Sequence, residues 1–243
     1  MTDEENMEYC NMDFALSIGG DGTFLRTSRM IWGLGVPLYG INAGRLGFLT
    51  AGAAESAAAD IRRILSGDYE LFSRIPLRGE IVRNGEVIES VYALNDITAS
   101  KGFLSRPIDV SVSVGEENIY RFLADGIIVS TPTGSTAYAM SAGGPIIHPG
   151  VKCMLVVPIC PHSLYPRPMV LSDMETINIK VECCAYEAIF SGDGHQNMTL
   201  ISGDIVSIKL DVERGIDVIS IDKSSYYDIL RKKMNWGRNG EAK

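Results

Sequence analysis

Two polar, glycine-bearing stretches carry the residues whose types and spacing suit phosphate chemistry. The first is Gly19-Gly20-Asp21-Gly22-Thr23, which follows a short apolar run and precedes a helical pattern. Glycines let backbone N–H groups approach an anion, and a helix start adds partial positive charge, so the turn suits a polyphosphate. A carboxylate at Asp21 is unfavourable beside phosphates unless it holds a metal ion or orients an attacking hydroxyl. A turn with a helix cap would also explain this motif taken alone.

The second stretch spans residues 125–138. Its pattern predicts a strand over 127–130, a turn rich in Ser, Thr, Pro and Gly, and a helix over 137–142 that ends at Gly143-Gly144-Pro145. Two strand-turn-helix patterns of this kind are harder to explain as structure alone. We therefore interpret the two stretches as parts of one binding site.

Taken together in this order, the motifs resemble the ATP-dependent NAD kinases. The resemblance covers residues 19–25, 40–42, 44–50, 94–96, 125–138, 141–149, 158–164 and 167–168. The Gly-Gly-Asp-Gly-Thr turn alone is similar to that of phosphofructokinases and of diacylglycerol or sphingosine kinases. The specific signal is the ordered set.

Composition narrows the class of partner. The chain has 243 residues, 46% of them apolar and 21% charged, with a formal net charge of −8. This is typical of an ordinary globular protein with one large or two small domains, and it argues against nucleic acid or an anionic membrane as the main partner. Anionic substrates would need local compensation, for which Arg26, Arg29, Arg45 and Mg²⁺ are candidates.

The cysteines and the hydropathy pattern predict a cytoplasmic protein. The five cysteines show no metal-ligand spacing, so we expect reduced thiols and no protein metal site. No apolar run approaches the roughly 18 residues that span a bilayer, and residues 1–13 are acidic without a signal-peptide core.

Periodicity divides the chain into two domains. Strand and helix patterns alternate over 13–18, 24–32, 35–42 and 53–65, which predicts a parallel α/β sheet whose ligands gather at the carboxyl ends of the strands. Beyond Gly67 the segments become short and alternating, and Asn84-Gly85 signals a hairpin with a type I′ turn. The predicted strands are 76–83, 86–95, 107–114, 154–159, 175–182, 187–190, 205–210 and 217–221.

The resemblance also implies a fold for each of the two domains. It implies a Rossmann-like α/β domain over 1–70 plus 222–243 and an all-β sandwich domain over 71–221. A last helix over 224–234 is expected to return to the first domain. Relatives begin with an additional strand and helix for which this chain leaves no room. We therefore expect a shortened sheet with an exposed edge, and an effect on stability and nucleotide affinity.

The reaction implied by the resemblance is transfer of the γ-phosphoryl of ATP to the 2′-hydroxyl of the adenosine ribose of NAD. Asp21 is the predicted catalytic residue. Since a free Asp has a pKa of about 3.9, it would orient the hydroxyl and accept its proton late rather than remove it beforehand. Gly19, Gly20, Gly22 and Thr23 would hold phosphate, with Mg²⁺ arriving with ATP.

Recognition of NAD is also implied position by position. Asn95 and Asp96 match a pair that binds ribose and diphosphate, in which the second residue is more often Glu, and Asp125 matches a carboxylate at the nicotinamide end. The remaining matches are Thr136, Ala137, Tyr138 and Ser141 at the adenine, Thr133 and Phe48 along the same cleft, and His195 where Gln is common. Leu123 stands where relatives often have a basic residue, so one contact is expected to be missing.

Three hypotheses remain open at this stage. The first is an active NAD kinase that forms a homo-oligomer, a dimer or tetramer, as the resemblance implies. The second is a catalytically impaired NAD-binding relative, motivated by the short N-terminus and Leu123. The third is a lipid or sugar kinase that shares the first turn, against which residues 131–138 argue.

Overall fold

The computed structural model of the protein describes residues 12–44, 47–102, 106–182, 188–221 and 226–236. Arg45, Cys10, Cys183 and Cys184, which were considered above, lie outside these ranges, as do residues 1–11 of the acidic N-terminus.

The elements follow one another in this order. The first nine strands are β1 (Ala15–Gly19), β2 (Leu38–Asn42), β3 (Gly52–Ala53), β4 (Glu70–Arg74), β5 (Leu77–Arg83), β6 (Glu86–Ala93), β7 (Asp96–Lys101), β8 (Ile108–Val114) and β9 (Glu117–Ala124). The remaining strands are β10 (Gly126–Ser130), β11 (Cys153–Ile159), β12 (Met169–Ser172), β13 (Ile177–Glu182), β14 (Ala188–Gly192), β15 (His195–Leu200), β16 (Ile205–Leu210) and β17 (Ile216–Ser220). The helices are α1 (Asp21–Met30), α2 (Ala57–Leu65), α3 (Tyr138–Ser141) and α4 (Tyr226–Met234), with a 3₁₀ turn at Gly134–Thr136.

The chain forms two compact units, Met1–Arg74 with Gly215–Lys243 (unit 1) and Ile75–Arg214 (unit 2). The predicted domain boundaries lie after residues 70 and 221. The structure places them after 74 and 214, because β17 pairs with β2 and β4 in the sheet of unit 1. An alternating strand pattern shows that one face is buried but does not identify the sheet to which the strand belongs.

The sheet of unit 1 is mixed, with the order β1-β2-β17-β4 and with β3 beside β2. Strands β1, β2, β3 and β17 run parallel, and β4 is antiparallel to β17. Helices cover both faces of β2, since Tyr39 and Ile41 pack with Ile64 of α2, while Gly40 faces the Phe24 side chain of α1. Helix α4 belongs to the same unit. This is the predicted α/β layer, and it brings the carboxyl ends of β1 and β2 together.

Unit 2 consists of two antiparallel six-stranded sheets, with the orders β12-β11-β10-β7-β14-β15 and β6-β5-β16-β13-β8-β9. Their inward side chains form one core; in β8, Ile108, Val110 and Val112 are buried and the polar residues between them are not. The β5–β6 hairpin turns at Asn84 (φ 53°) and Gly85 (φ 84°), which are the positive dihedrals of the predicted type I′ turn. The predicted all-β sandwich is thus confirmed.

A second apolar layer covers the outer face of the sheet that contains β10 and β11. Ile128, Leu155 and Val157 pack there against Ala139 of α3. Because both faces of β10 and β11 are covered, every residue of these two strands is buried. This packing fixes α3 on the sheet and thereby holds the segment of the second motif in place.

Among the described residues, no helix is long and apolar enough to cross a membrane. Within the same ranges, no three His, Cys, Asp or Glu side chains are grouped so that they could hold a metal ion.

Candidate functional site

The glycine turn of unit 1 links the carboxyl end of β1 to the start of α1. Gly19 adopts φ 155°, and a Cβ atom there would lie 2.4 Å from the Thr23 hydroxyl oxygen, so a side chain does not fit at this position. Gly20 precedes the helix in an extended conformation, and its carbonyl accepts the N–H groups of Thr23 and Phe24 at 3.0 and 3.1 Å. Gly20, Gly22, Thr23 and Arg26 are all exposed. The turn therefore presents a helix start to solvent.

Asp21 is the first residue of α1, and its carboxylate binds the loop that follows β2. One oxygen, Oδ2, accepts the backbone N–H of Phe48 at 2.8 Å, and Oδ1 accepts that of Leu49 at 3.0 Å. The Thr50 hydroxyl also donates to Oδ1, at 3.5 Å. A carboxylate has about four lone-pair sites, so these bonds still leave acceptor capacity for a substrate hydroxyl. The predicted catalytic residue thus also positions the loop that carries Phe48.

Gly47 makes this contact possible. A Cβ atom at Gly47 would lie 1.9 Å from Asp21 Oδ1 and 2.5 Å from the Thr50 hydroxyl. Any side chain would displace the carboxylate or the loop. The absence of a side chain at Gly47 therefore lets the Asp21 carboxylate reach the loop backbone.

A polar chain extends from the loop to the end of β2. The Asn42 amide donates to the Thr50 hydroxyl oxygen at 3.1 Å, and Asn42 Oδ1 accepts the Gly44 N–H at 2.7 Å. Asn42 and Thr50 are buried, and Thr50 Oγ1 lies 3.5 Å from Asp21 Oδ1. Sequence reasoning included both residues in motifs but assigned them no role, because their partners lie far along the chain.

Phe48 also contacts the last helix. Lys233 of α4 places its Nζ 5.4 Å from the centre of the Phe48 ring, within the range of a cation–π interaction. A positive side chain therefore lies beside the loop that Asp21 holds.

In unit 2, a cavity of about 350 Å³ collects several of the predicted NAD-binding residues. Its lining consists of Asn95, Asp96, Thr98, Ala137, Tyr138, Asp193 and Gly194. Asn95, Asp96, Ala137 and Tyr138 were predicted, whereas Thr98, Asp193 and Gly194 were not. The cavity offers amide and carboxyl groups together with a half-exposed aromatic ring, which is the chemistry that binds a nucleoside.

Residues 94–96 enter the cavity at the start of β7, and the second motif packs against their backbone. Thr131 donates its N–H to the Asn95 carbonyl at 2.9 Å and its hydroxyl to the Leu94 carbonyl at 2.6 Å. A Cβ atom at Gly134 would lie 2.1 Å from the Asn95 carbonyl oxygen. Glycine at this position therefore allows the turn before Tyr138 to lie against Asn95.

Asp96 is an acid of this cavity with a strongly raised pKa. Its side chain is only 6% exposed. Burial, and then the nearby charge of Asp193, raise the pKa of Asp96 to about 7. The carboxyl group therefore changes its protonation state near neutral pH, which is typical of groups in functional sites.

Four other predicted residues flank the cavity without lining it. Thr133 and Thr136 lie in the 3₁₀ turn region, where the Thr136 hydroxyl donates to the Thr133 carbonyl at 3.3 Å. Ser141 is exposed at the end of α3, and His195 is exposed immediately after Gly194. These residues share the segments that line the cavity.

Asp125 lies elsewhere in the unit. Antiparallel pairing places Ser130 opposite Asp96 and Gly126 opposite Ser100, so Asp125 is at the far end of β7. Five residues of strand separate the two ends by about 16 Å. The Asp125 carboxylate instead pairs with Lys101 Nζ at 2.8 Å. The structure does not bring Asp125 to the cavity of Asn95 and Asp96.

Comparison with known proteins matches both units to one family. The model of the ATP-NAD kinase N-terminal domain matches residues 2–69, and that of the ATP-NAD kinase C-terminal domain matches residues 94–213. The NAD kinase of Thiobacillus denitrificans is 43% identical over 226 residues, which are 93% of this chain and 77% of the relative. The chain belongs to the ATP-NAD kinase family. As a member it is an NAD kinase, an enzyme that phosphorylates NAD.

Solved structures of this family share the fold. The yeast NADH kinase complexed with NADH superposes with a TM-score of 0.88 at 27% identity, covering 96% of this chain and 69% of that one. An NAD kinase from Archaeoglobus fulgidus in complex with ATP gives a TM-score of 0.77 at 28% identity, covering 93% and 84%. The resemblance found in the sequence is thereby confirmed for the family and for the fold. The roles of individual residues remain predictions.

Proposed function

We propose that this NAD kinase transfers the γ-phosphoryl of ATP to the 2′-hydroxyl of the adenosine ribose of NAD, with Asp21 as the catalytic residue. In this step a bond forms between the 2′ oxygen and the γ-phosphorus, and the bond from that phosphorus to the β,γ-bridging oxygen breaks. The 2′-hydroxyl proton passes to the Asp21 carboxylate. The observation that supports this role is the fixed position of that carboxylate at the start of α1.

Asp21 acts by alignment rather than by strong basicity. A hydroxyl proton moves to a carboxylate only as the new oxygen–phosphorus bond develops, so Asp21 orients the hydroxyl first and accepts the proton late. The two N–H groups of Phe48 and Leu49 hold the carboxylate in one orientation for this task.

The exposed glycine turn is proposed to bind the phosphates of ATP. Gly19, Gly20, Gly22 and Thr23 precede or begin α1, whose N-terminal end favours an anion. Arg26 is exposed on the next turn of the same helix, and Lys233 lies beside Phe48. These side chains provide positive charge in a protein whose net charge is negative.

A divalent cation, most simply Mg²⁺, is proposed to accompany ATP. Among the described residues, no three His, Cys, Asp or Glu side chains are grouped so that they could hold this ion. We therefore propose an ion that would be held mainly by phosphate oxygens, with Asp21 as the carboxylate that the glycine turn would contribute. When bound, the ion would neutralise charge on the phosphates.

The cavity of unit 2 is proposed to bind the adenosine part of NAD. The Asp96 carboxylate and the Asn95 amide suit ribose hydroxyls, and Tyr138 offers an apolar face to the base. Thr133, Thr136 and Ser141 border the same segment, and Phe48 and His195 remain proposed contacts. Asp125, at the far end of β7, remains a proposed contact of the nicotinamide end of NAD.

Two further features complete the proposal. A homo-oligomer, dimer or tetramer, is supported by the exposed apolar side chains Leu164, Tyr165, Val170 and Met174 around the edge strand β12. A cytoplasmic location is proposed because the reaction consumes ATP and NAD. Light scattering coupled to size-exclusion chromatography and cell fractionation test these two points.

The function is tested by a coupled assay of NADP formation from ATP, Mg²⁺ and NAD, run beside a calorimetric NAD titration. We expect both binding and product. Binding without NADP would instead support an impaired NAD-binding relative, and phosphorylation of diacylglycerol without NADP would support a lipid kinase.

A further inference from the structure

Asp193 makes more contacts with the NAD-binding segment than any residue that the sequence predicted. Its Oδ1 accepts the N–H groups of Asn95 at 2.8 Å and Asp96 at 3.2 Å, and its Oδ2 accepts that of Leu94 at 3.0 Å. Its own N–H donates to the Asp96 carbonyl at 2.9 Å. Four hydrogen bonds therefore join one turn residue to three consecutive residues that lie about a hundred positions earlier in the chain.

The turn itself does not require an aspartate. Asp193 and Gly194 connect β14 to β15 with φ angles of 49° and 69°, and Asn or Gly would adopt this left-handed conformation equally well. Only a carboxylate supplies two acceptor oxygens to three N–H donors. An asparagine would turn an NH₂ group toward an N–H donor. The residue type is therefore explained by the Leu94–Asp96 backbone rather than by the hairpin.

The position of Asp193 also has an electrostatic cost. Asp96 is buried beside it, and both residues line the same cavity. Two neighbouring acids destabilise each other when both are ionised, and more so when one of them is buried. A purely structural hairpin would gain nothing from this pair, whereas a site that must present a carboxyl group to a ligand would use it.

We propose that Asp193 is a positioning residue of the NAD site, which fixes the backbone of residues 94–96 and so sets where Asn95 and Asp96 meet the ribose. This inference rests on the proposed role of the cavity. Asp193 acts through the backbone N–H groups and through its negative charge, without a bond to the reacting atoms.

The charge of Asp193 gives the proposal a pH signature. Besides Asp96, the titratable groups that line the cavity are Asp193 from the β14–β15 turn and Tyr138 from α3. Burial raises the pKa of Asp96, and the charge of Asp193 raises it further. If ionised Asp96 accepts ribose hydroxyls, kcat/KM for NAD rises as the pH passes through the pKa of Asp96. Removing the Asp193 charge lowers that pKa, so the rise moves to lower pH.

The test compares Asp193→Asn with Asp204→Asn. Asp204 is a matched control because it is another turn aspartate of unit 2 whose carboxylate accepts a backbone N–H, here that of Ile201, and it also binds Arg83 away from the cavity. We expect Asp193→Asn to raise KM for NAD about tenfold, to change kcat less than about threefold, and to move the acid limb of the kcat/KM profile to lower pH. Asp204→Asn should lower the thermal midpoint and leave KM and the pH profile unchanged.

Several outcomes overturn the proposal. One is an Asp193→Asn enzyme that loses stability but has the KM and pH profile of Asp204→Asn. If Asp193→Asn does not fold, Asp193→Glu replaces it, because it keeps the charge and moves the oxygens. Asp193→Glu should raise KM without moving the acid limb, and a wild-type KM would contradict the positioning role.

Asn95→Ala and Asp96→Asn separate this inference from the proposed function. If they raise KM for NAD and the Asp193 variants do not, the NAD site stands and the role of Asp193 is wrong. If neither changes KM, the cavity is not the NAD site and both proposals fail together.

Discussion

Each unit uses an aspartate of a glycine-bearing turn to fix a distant loop, but the electrostatics of the two sites differ. In unit 1, Asp21 accepts N–H groups from Phe48 and Leu49, and the same carboxylate is proposed to meet the substrate. In unit 2, Asp193 accepts N–H groups from residues 94–96, while a second acid, Asp96, faces the cavity. In the proposed roles, unit 1 combines positioning and chemistry in one carboxylate, and unit 2 divides positioning and binding between two.

This difference assigns different kinetic signatures to the two sites. Changes in unit 1 should act on turnover, because the carboxylate there is proposed to serve the phosphoryl transfer. Changes in unit 2 should act on NAD affinity and on its pH dependence, because the pKa of the buried Asp96 lies near neutrality.

The largest effect is expected for Asp21→Asn. It removes the proton acceptor and places an NH₂ group against a backbone N–H, so kcat should fall by about a thousandfold with little change in NAD affinity. NADP formation and calorimetric NAD binding measure the two quantities. Asp68→Asn is the control, because it removes an acid of unit 1 whose partner is the exposed side chain of Arg63. Comparable turnover in Asp21→Asn would remove Asp21 from the chemistry.

Gly47→Ala tests the same contact without removing the carboxylate. Since the added Cβ would lie 1.9 Å from Asp21 Oδ1, the carboxylate must move, and a displacement of about 1 Å can cost roughly a hundredfold in kcat. Gly44→Ala is the matched control from the same loop, where an added Cβ meets nothing within 4 Å. Equal kcat values for the two variants would show that the orientation of Asp21 is not critical.

Asp96→Asn should change the pH profile in addition to the affinity. The wild-type kcat/KM for NAD is expected to rise with pH through about 7, where Asp96 ionises. The amide does not titrate, so the variant should lose this rise. At pH values above the pKa of Asp96, its kcat/KM for NAD should be about tenfold lower than that of the wild type. Retention of the rise in the variant would assign it to another group.

The stability of the same variant gives an independent measurement. The pKa of Asp96 is raised from 3.8 to about 7 by folding, so the wild-type free energy of unfolding falls as the pH rises between these values. In Asp96→Asn this contribution to the free energy of unfolding does not change with pH, because the amide does not titrate. The stability of the variant relative to wild type should therefore increase from pH 4 to pH 8, by an amount on the order of a few kcal/mol in denaturant titrations. A pH-independent difference would contradict the raised pKa.

The smallest effect is expected for Lys233→Gln. An exposed cation–π contact contributes about 0.5–1 kcal/mol, so the free energy of unfolding should fall by no more than this. Lys232→Gln, on the same exposed turn of α4, is the control. If the fall in kcat/KM for ATP, converted to a free energy, exceeds the fall in the free energy of unfolding, Lys233 belongs to the phosphate site.

Local patterns predicted a large part of the fold. The alternation of Val and Ile in β8 and the Asn84-Gly85 turn were sufficient for strand and hairpin assignments. The polar strand β7 was not predicted, since its strand character comes from pairing with β10 and β14 on either side. Strand β17 was predicted but assigned to the all-β domain, whereas it pairs in the sheet of unit 1, because alternation does not encode the pairing partner.

The candidate sites were predicted as motifs but not as contacts. Residues 19–23, 95–96 and 137–138 were identified because their resemblance to a family is local in the sequence. Asp193 was not predicted as a site residue, since an Asp-Gly turn is common and its partners lie about a hundred residues away. The near-neutral pKa of Asp96 was also beyond the sequence, because it depends on burial and on the same distant neighbour.

The central claim is that unit 1 supplies the chemistry and unit 2 the affinity for NAD. Single-turnover rates of Asp21→Asn and Asp96→Asn, measured side by side from NAD concentrations far below to far above the Kd, test it most directly. We predict that Asp21→Asn keeps the wild-type midpoint and remains about a thousandfold slower at saturation, while Asp96→Asn approaches the wild-type rate with its midpoint shifted to higher NAD. A near-wild-type saturating rate for Asp21→Asn, or an unshifted midpoint for Asp96→Asn, would contradict the account.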